Sequence, residues 1–106
     1  MKDSINYEKL GLRIKALRLS KNLTQDNLAQ AVDCNVSHIS NIENNHTKVS
    51  LIVLLAIANA LNVTIDYLLA DQYENSSLAL DNEIINAIAD CDIETKERIL
   101  RIIKVL

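Results

Sequence analysis

The chain has no proline, no tryptophan, no phenylalanine and a single glycine, Gly11. Sandwiches and barrels need many turn residues, so their absence argues against those architectures and leaves helix as the default. Almost half of the 106 residues are hydrophobic, enough for a core, and without Phe or Trp that core must be aliphatic. The length suits one compact domain, or a small domain with an appendage. Cysteine is scarce as well: Cys34 and Cys91 lie far apart and form no CxxC. No run approaches the roughly 18 apolar residues of a membrane span, and the opening "MKDSINYEKL" is too polar for a secretory signal. A cytoplasmic protein with reduced thiols and no membrane partner is expected.

Charge is unevenly placed. Residues 1–50 hold seven Lys/Arg against five acids, and residues 51–106 hold four against nine. The net charges are +2 and −5, which make up the −3 of the whole chain. A weakly basic half can face a polyanion while the acidic half stays away from it.

One pattern recurs along the chain: an apolar residue, then Ser, Thr, Asn or Asp, then three residues and another apolar one. It occurs at Ile5-Asn6, Leu23-Thr24, Cys34-Asn35, Val49-Ser50, Val63-Thr64 and Leu80-Asp81. The polar side chain accepts a bond from an otherwise unpaired N–H, and the apolar pair clamps the incoming chain. A seventh occurrence, Cys91-Asp92, has Lys96 in place of the apolar clamp and is the weakest. Asn22, Asp33 and Asn45 stand where helices must end, and Asn and Asp tolerate the left-handed backbone such ends use. The spacing predicts helices near 7–21, 24–32, 36–44, 50–61 and 65–69, a polar connector "DQYENSS", and two more helices near 81–90 and 93–106.

The second and third of these helices are three residues apart, the length of the turn in a helix-turn-helix unit. Ala29 is small enough for the third helix to cross closely. Ile39 and Ile42 would pack beneath, with Leu28, Val32 and Cys34 completing the local core. The other face of the third helix offers Ser37, His38 and Asn41, an uncharged row of hydrogen-bonding groups where solvated helices usually carry Lys and Glu.

Together, "RIKALR", "LTQDNLAQA", "ISNIE" and "ALNVTIDYLL" resemble the lambda-repressor-like, or Xre-type, helix-turn-helix regulators, over about residues 10–71. The resemblance implies an all-α fold of five helices, with the helix at 36–44 entering the DNA major groove. It implies base reading by Val36, Ser37, His38 and Asn41. Asn41 could pair with adenine, Ser37 could donate or accept, and Val36 could meet a thymine methyl group. It implies backbone contacts from Gln25, which also braces the reading helix, and from Asn44 and Lys48. Arg18 and Glu43 match the family's structural ion pair. It also implies a bacterial or phage origin. Asn27 replaces the usual Glu after "TQ" and is expected to weaken that capping box; Val49 stands where Pro is frequent.

The expected domains are 1–71 for DNA binding, 72–80 as a linker and 81–106 as a C-terminal helical hairpin. In the last of these, Ile99, Ile102, Ile103 and Leu106 form one apolar stripe, and Ile84, Ile85 and Ile88 form another. Glu94–Arg98 and Glu97–Arg101 neutralise the polar side. The stripe can pack on the main domain or join two copies; homodimerisation through 81–106 is the preferred reading.

Other chemistries fare worse. Cys34 with His38 and His46 falls short of convergent metal ligation, and a buried Cys34 is a poor redox sensor. Tyr67 is expected to pack in the fifth helix and not to stack on a base, and three Tyr make no platform for single-stranded nucleic acid. No glycine loop, carboxylate pair or nucleophile with its base is visible, so no enzyme, cofactor or metal is expected. Asp90 and Asp92 read as caps. No segment is long enough for a separate ligand-sensing domain, and no small-molecule ligand is expected. The sequence therefore predicts a duplex-DNA-binding transcriptional repressor acting as a homodimer on a near-palindromic site. The alternative is a protein-interaction module, an antitoxin or anti-regulator, built on the same fold.

Overall fold

A computed structural model describes residues 4–75 and 77–106. Residues 1–3 of the first expected domain and Ser76 of the expected linker lie outside the described residues. The described residues form α1 (Tyr7–Ser20), α2 (Gln25–Val32), α3 (Val36–Glu43), α4 (Leu51–Leu61) and α5 (Ile65–Leu68). A 3-10 turn (Ala70–Gln72), α6 (Ser77–Ala89) and α7 (Ile93–Lys104) follow, and no strand occurs among them.

The start signals act as local physics requires. Asn6, Thr24, Asn35, Ser50 and Thr64 each accept a hydrogen bond from the backbone N–H three residues on. Asp92, the weakest candidate, does the same for Thr95. Leu80-Asp81 does not start a helix, because α6 is already under way at Ser77. The reason is burial: α6 packs on α5 and the 3-10 turn, and Ala79 is buried there one turn earlier than expected. The last four residues assigned to the linker are therefore helical. Asn27 also departs from expectation, since it closes the capping box instead of weakening it. Its Oδ1 accepts the Thr24 N–H at 2.9 Å, and the Asn27 N–H returns to Thr24 Oγ1 at 3.0 Å.

Asn22, Asp33 and Asn45 adopt left-handed backbone at the helix ends, as expected, and Asn62 joins them after α4. Short polar side chains reach this region at low cost, which explains how the chain manages without glycine at these turns.

The core is aliphatic. Leu10, Ile14, Leu28, Ile39, Ile57, Leu61 and Leu68 are fully buried and unite α1 to α5. Ala29 is buried where α2 meets α3. Gly11 serves a different contact. A Cβ built there would lie 2.5 Å from the Ile42 carbonyl oxygen and 2.8 Å from that of Glu43. The α1 backbone thus rests directly on the last carbonyls of α3, an approach open only to glycine.

The stretch after α5 is tied down. Asn6 donates its N–H to Gln72 Oε1 at 2.7 Å, and Gln72 Nε2 returns to the Asn6 carbonyl at 3.1 Å. The Tyr73 phenol donates to Asp66. Glu83 of α6 accepts from the Thr64 N–H and hydroxyl at 3.1 and 2.7 Å, joining α6 to the start of α5. By contrast, α7 has no buried residue. The radius of gyration, 15.8 Å, exceeds the about 13 Å of a compact chain this long.

Candidate nucleic-acid interface

The candidate interface is built on the turn between α2 and α3, and each residue of that three-residue turn has a separate task. Asp33, in the left-handed conformation, closes α2 by donating its N–H to Gln30 O. Cys34 donates its N–H to Ala29 O at 3.0 Å and packs partly against the core. Asn35 caps α3, its Oδ1 accepting the His38 N–H at 2.9 Å. Burial, and to a lesser degree the Asp33 charge, push the Cys34 thiol upward, so it is a protonated packing group at neutral pH.

Ile39 and Ile42 face inward and are buried. That orientation leaves Val36 and Ser37 exposed and His38 and Asn41 half-buried on the other side of α3. Val36, Ser37, His38 and Asn41 thus share one helix and one side of it. Ser37 donates its hydroxyl to Asn35 Oδ1 at 2.8 Å. Among the described residues, the Asn41 side chain has no hydrogen-bond partner, whereas its backbone carbonyl accepts the His46 and Thr47 N–H groups at 2.8 and 3.2 Å. Those two bonds fold the chain back after α3 and carry it toward Lys48.

The far end of α3 is pinned by charge. Glu43 accepts from Arg18 Nε at 2.7 Å and from Arg18 Nη2 at 3.0 Å, a bidentate pair with both side chains buried. Arg18 Nη1 donates to the Leu23 carbonyl at 2.7 Å. Gln25 adds a third arm, donating to Glu43 Oε1 at 3.1 Å. Gln25 therefore sits in the brace, with a second amide hydrogen left over for another acceptor. Asn44, the C-cap just past α3, donates to Ser40 Oγ at 3.2 Å. The Lys48 ammonium lies 5.6 Å from the Tyr7 ring centre, close enough for a cation–π contact that steadies it beside the helix. Tyr67 is engaged elsewhere: the Arg13 guanidinium stacks 4.5 Å from its ring centre and donates to its carbonyl at 2.8 Å.

The tail residues do not join this surface. Ile99 is half-buried, while Ile102, Ile103 and Leu106 are exposed. A second apolar face escaped the sequence reading: Leu51 and Ile52 of α4 are 71 and 84 % exposed. The signal was available, since residues 49–65 contain no charged side chain at all. Among the described residues no three His, Cys, Asp or Glu side chains converge as a metal site would require, and no helix is long and apolar enough to cross a membrane.

The helix-turn-helix model HTH_3 matches residues 14–68, more than half of the chain. The chain is similar to the restriction-modification controller protein C.AhdI from Aeromonas hydrophila. Identity is 32% over 59% of this chain and 96% of that one, with a TM-score of 0.58. It is similar to SinR, a master regulator for biofilm formation solved in complex with DNA, at 33% identity over 57% of this chain and 97% of that one, with a TM-score of 0.54. A complex of SinR with SinI matches at 25% identity over 90% of this chain and 94% of that one, with a TM-score of 0.59. No curated protein matches the sequence.

Proposed function

The chain belongs to the HTH_3 helix-turn-helix family of lambda-repressor-like DNA-binding transcriptional regulators, and from that premise we propose that it is a sequence-specific repressor that reads a near-palindromic operator as a homodimer. One observation carries the specific reading. The outer side of α3 presents uncharged hydrogen-bonding side chains on a helix whose inner side is locked by Ile39, Ile42 and the Arg18–Glu43 pair. Base edges are distinguished by hydrogen-bond pattern and methyl groups, which Asn41, Ser37, His38 and Val36 can match. Asn44, Lys48 and the spare amide hydrogen of Gln25 serve the phosphates, which set register and not sequence. The cytoplasm of a bacterium, or of a phage's host, is the setting this reading implies.

The homodimer rests on α7. Its Ile102 and Ile103, with Leu106 just beyond its end, are exposed and Ile99 is half-buried, and the Glu94–Arg98 pair at 2.8 Å neutralises charge on the polar flank. Two copies pairing through residues 81–106 would hide both stripes and set two reading helices about 34 Å, one turn of DNA, apart.

A second reading is favoured by the net charge of −3 and by the similarity to SinR bound to SinI. On that reading this chain uses the fold to bind a protein partner, as an antitoxin or anti-regulator would, without specific DNA readout. Selection from a random duplex pool by the purified full chain decides between the two. A two-fold-symmetric enriched motif is expected, and its half-site spacing gives the dimer geometry. No enrichment by folded protein at low salt, where basic groove-facing surfaces bind even non-specifically, would transfer the assignment to the protein-partner reading.

A further inference from the structure

We infer that Ser37 reads its base as a hydrogen-bond acceptor, so that it recognises the exocyclic amino group of adenine or cytosine; this rests on α3 reading DNA as proposed above. A free serine hydroxyl can donate or accept and tells bases apart poorly. Here the choice is already made by the helix cap. Asn35 Oδ1 accepts the His38 N–H at 2.9 Å, which fixes that atom as the amide oxygen, because the amide nitrogen has no lone pair to offer. The Ser37 hydroxyl lies 2.8 Å from the same oxygen. An oxygen that only accepts must be met by the hydroxyl hydrogen, so Ser37 points its one hydrogen back into the cap. Its lone pairs are left for a partner outside, and the residue is exposed on the same side of α3 as Asn41.

Each base pair shows one donor in the major groove, the adenine N6 or the cytosine N4 amino group, on the side of the strand that carries the A or C, so A·T and C·G present it in one place and T·A and G·C in the other. An obligate acceptor held on a rigid helix is thereby selective. Reading N7, O6 or O4 instead would require Ser37 to leave the cap, with Asn35 losing one of its two donors.

The test begins with the motif enriched by wild-type protein and by Ser37→Ala, a surface change that leaves the Asn35–His38 cap in place. At the base pair whose preference Ser37→Ala relaxes, the amino donor is deleted by placing purine for adenine, or 2-pyrimidinone for cytosine. In a parallel duplex the purine N7 acceptor is deleted with a 7-deaza base. Amino deletion is expected to weaken wild-type binding by about five- to tenfold and to leave Ser37→Ala unaffected, the size of one neutral hydrogen bond. N7 deletion is expected to act equally on both proteins. A penalty confined to wild type on N7 deletion, or an amino deletion felt equally by both, overturns the inference. So does an enriched motif that Ser37→Ala leaves unchanged, with the DNA-reading proposal intact. No enriched motif from wild type removes both.

Discussion

Arg18 and Glu43 are the charged side chains buried within the described core, and they are buried as a bidentate pair with every strong contact made. Removing one partner leaves the other as an unpaired buried charge. Arg18→Ala is expected to lower stability by about 3–5 kcal/mol, read from the urea midpoint at unchanged slope. The loss should reach DNA reading indirectly, because Glu43 is the last residue of α3. Asn41→Ala has the opposite signature. Among the described residues its side chain has no hydrogen-bond partner, so the fold should keep its melting temperature. Binding should lose about 1–3 kcal/mol of discrimination at one base pair of each half-site, measured against permuted operators. At this scale the sequence was most legible where a residue type has one plausible use. The Arg18–Glu43 pair emerged from the family resemblance and stands in the geometry. The Ser37 hydroxyl did not, because its direction depends on a cap that only three-dimensional neighbours reveal.

Helix ends were readable where the signal is local and unreliable where packing decides. A capping side chain acts within three residues, so Asn6, Thr24, Asn35, Ser50 and Thr64 could be found by pattern alone. The start of α6 is set by burial of Ala79 against elements elsewhere in the chain, and no local pattern encodes that. Exposure on α4 was missed for the same reason, as a helix with no charge and a single polar residue, Asn59, looks like a core helix until one side is found in solvent. Two outcomes belong to this scale. Asn35→Ala removes the cap of α3 and is expected to cost about 1 kcal/mol in a thermal melt, with DNA affinity falling further because the Ser37 hydroxyl is released. In α7, the side chain and N–H of Thr95 hold the Asp92 carboxyl below the ordinary carboxylate range. A depressed folded-state value means that the cap contributes fully above the ordinary value and is lost as pH falls through the depressed one. An amide titration of Thr95 should therefore turn at a lower pH than an unpaired aspartate.

For the molecule as a whole, the arrangement places the proposed reading face and the proposed dimerisation stripe on different elements. The core of α1 to α5 is complete in itself, α6 is fastened to it through Glu83 and Ala79, and α7 carries its apolar stripe outward. Deleting residues 90–106 should leave a folded protein of unchanged helical core but shift sedimentation to the monomer. A truncated chain that still sediments as a dimer would move the interface to the exposed apolar residues left behind, Ile84 and Ile85 of α6 or Leu51 and Ile52 of α4. The separation of basic and acidic halves was visible in the sequence. Where the acidic half points was not, since it depends on the Glu83 anchor.

Gly11 gives the single-glycine composition a genetic meaning. Every missense change at its codon, whatever residue it brings, adds the same Cβ atom 2.5 Å from the Ile42 carbonyl oxygen, against backbone that has no rotamer to yield. Codon 11 should therefore behave as an all-or-none position in a screen for lost regulation, appearing alongside codons of the α3 side proposed to face DNA although it encodes no side chain. The two groups would part on protein abundance: changes at the reading face leave the level of the protein alone, and changes at codon 11 lower it.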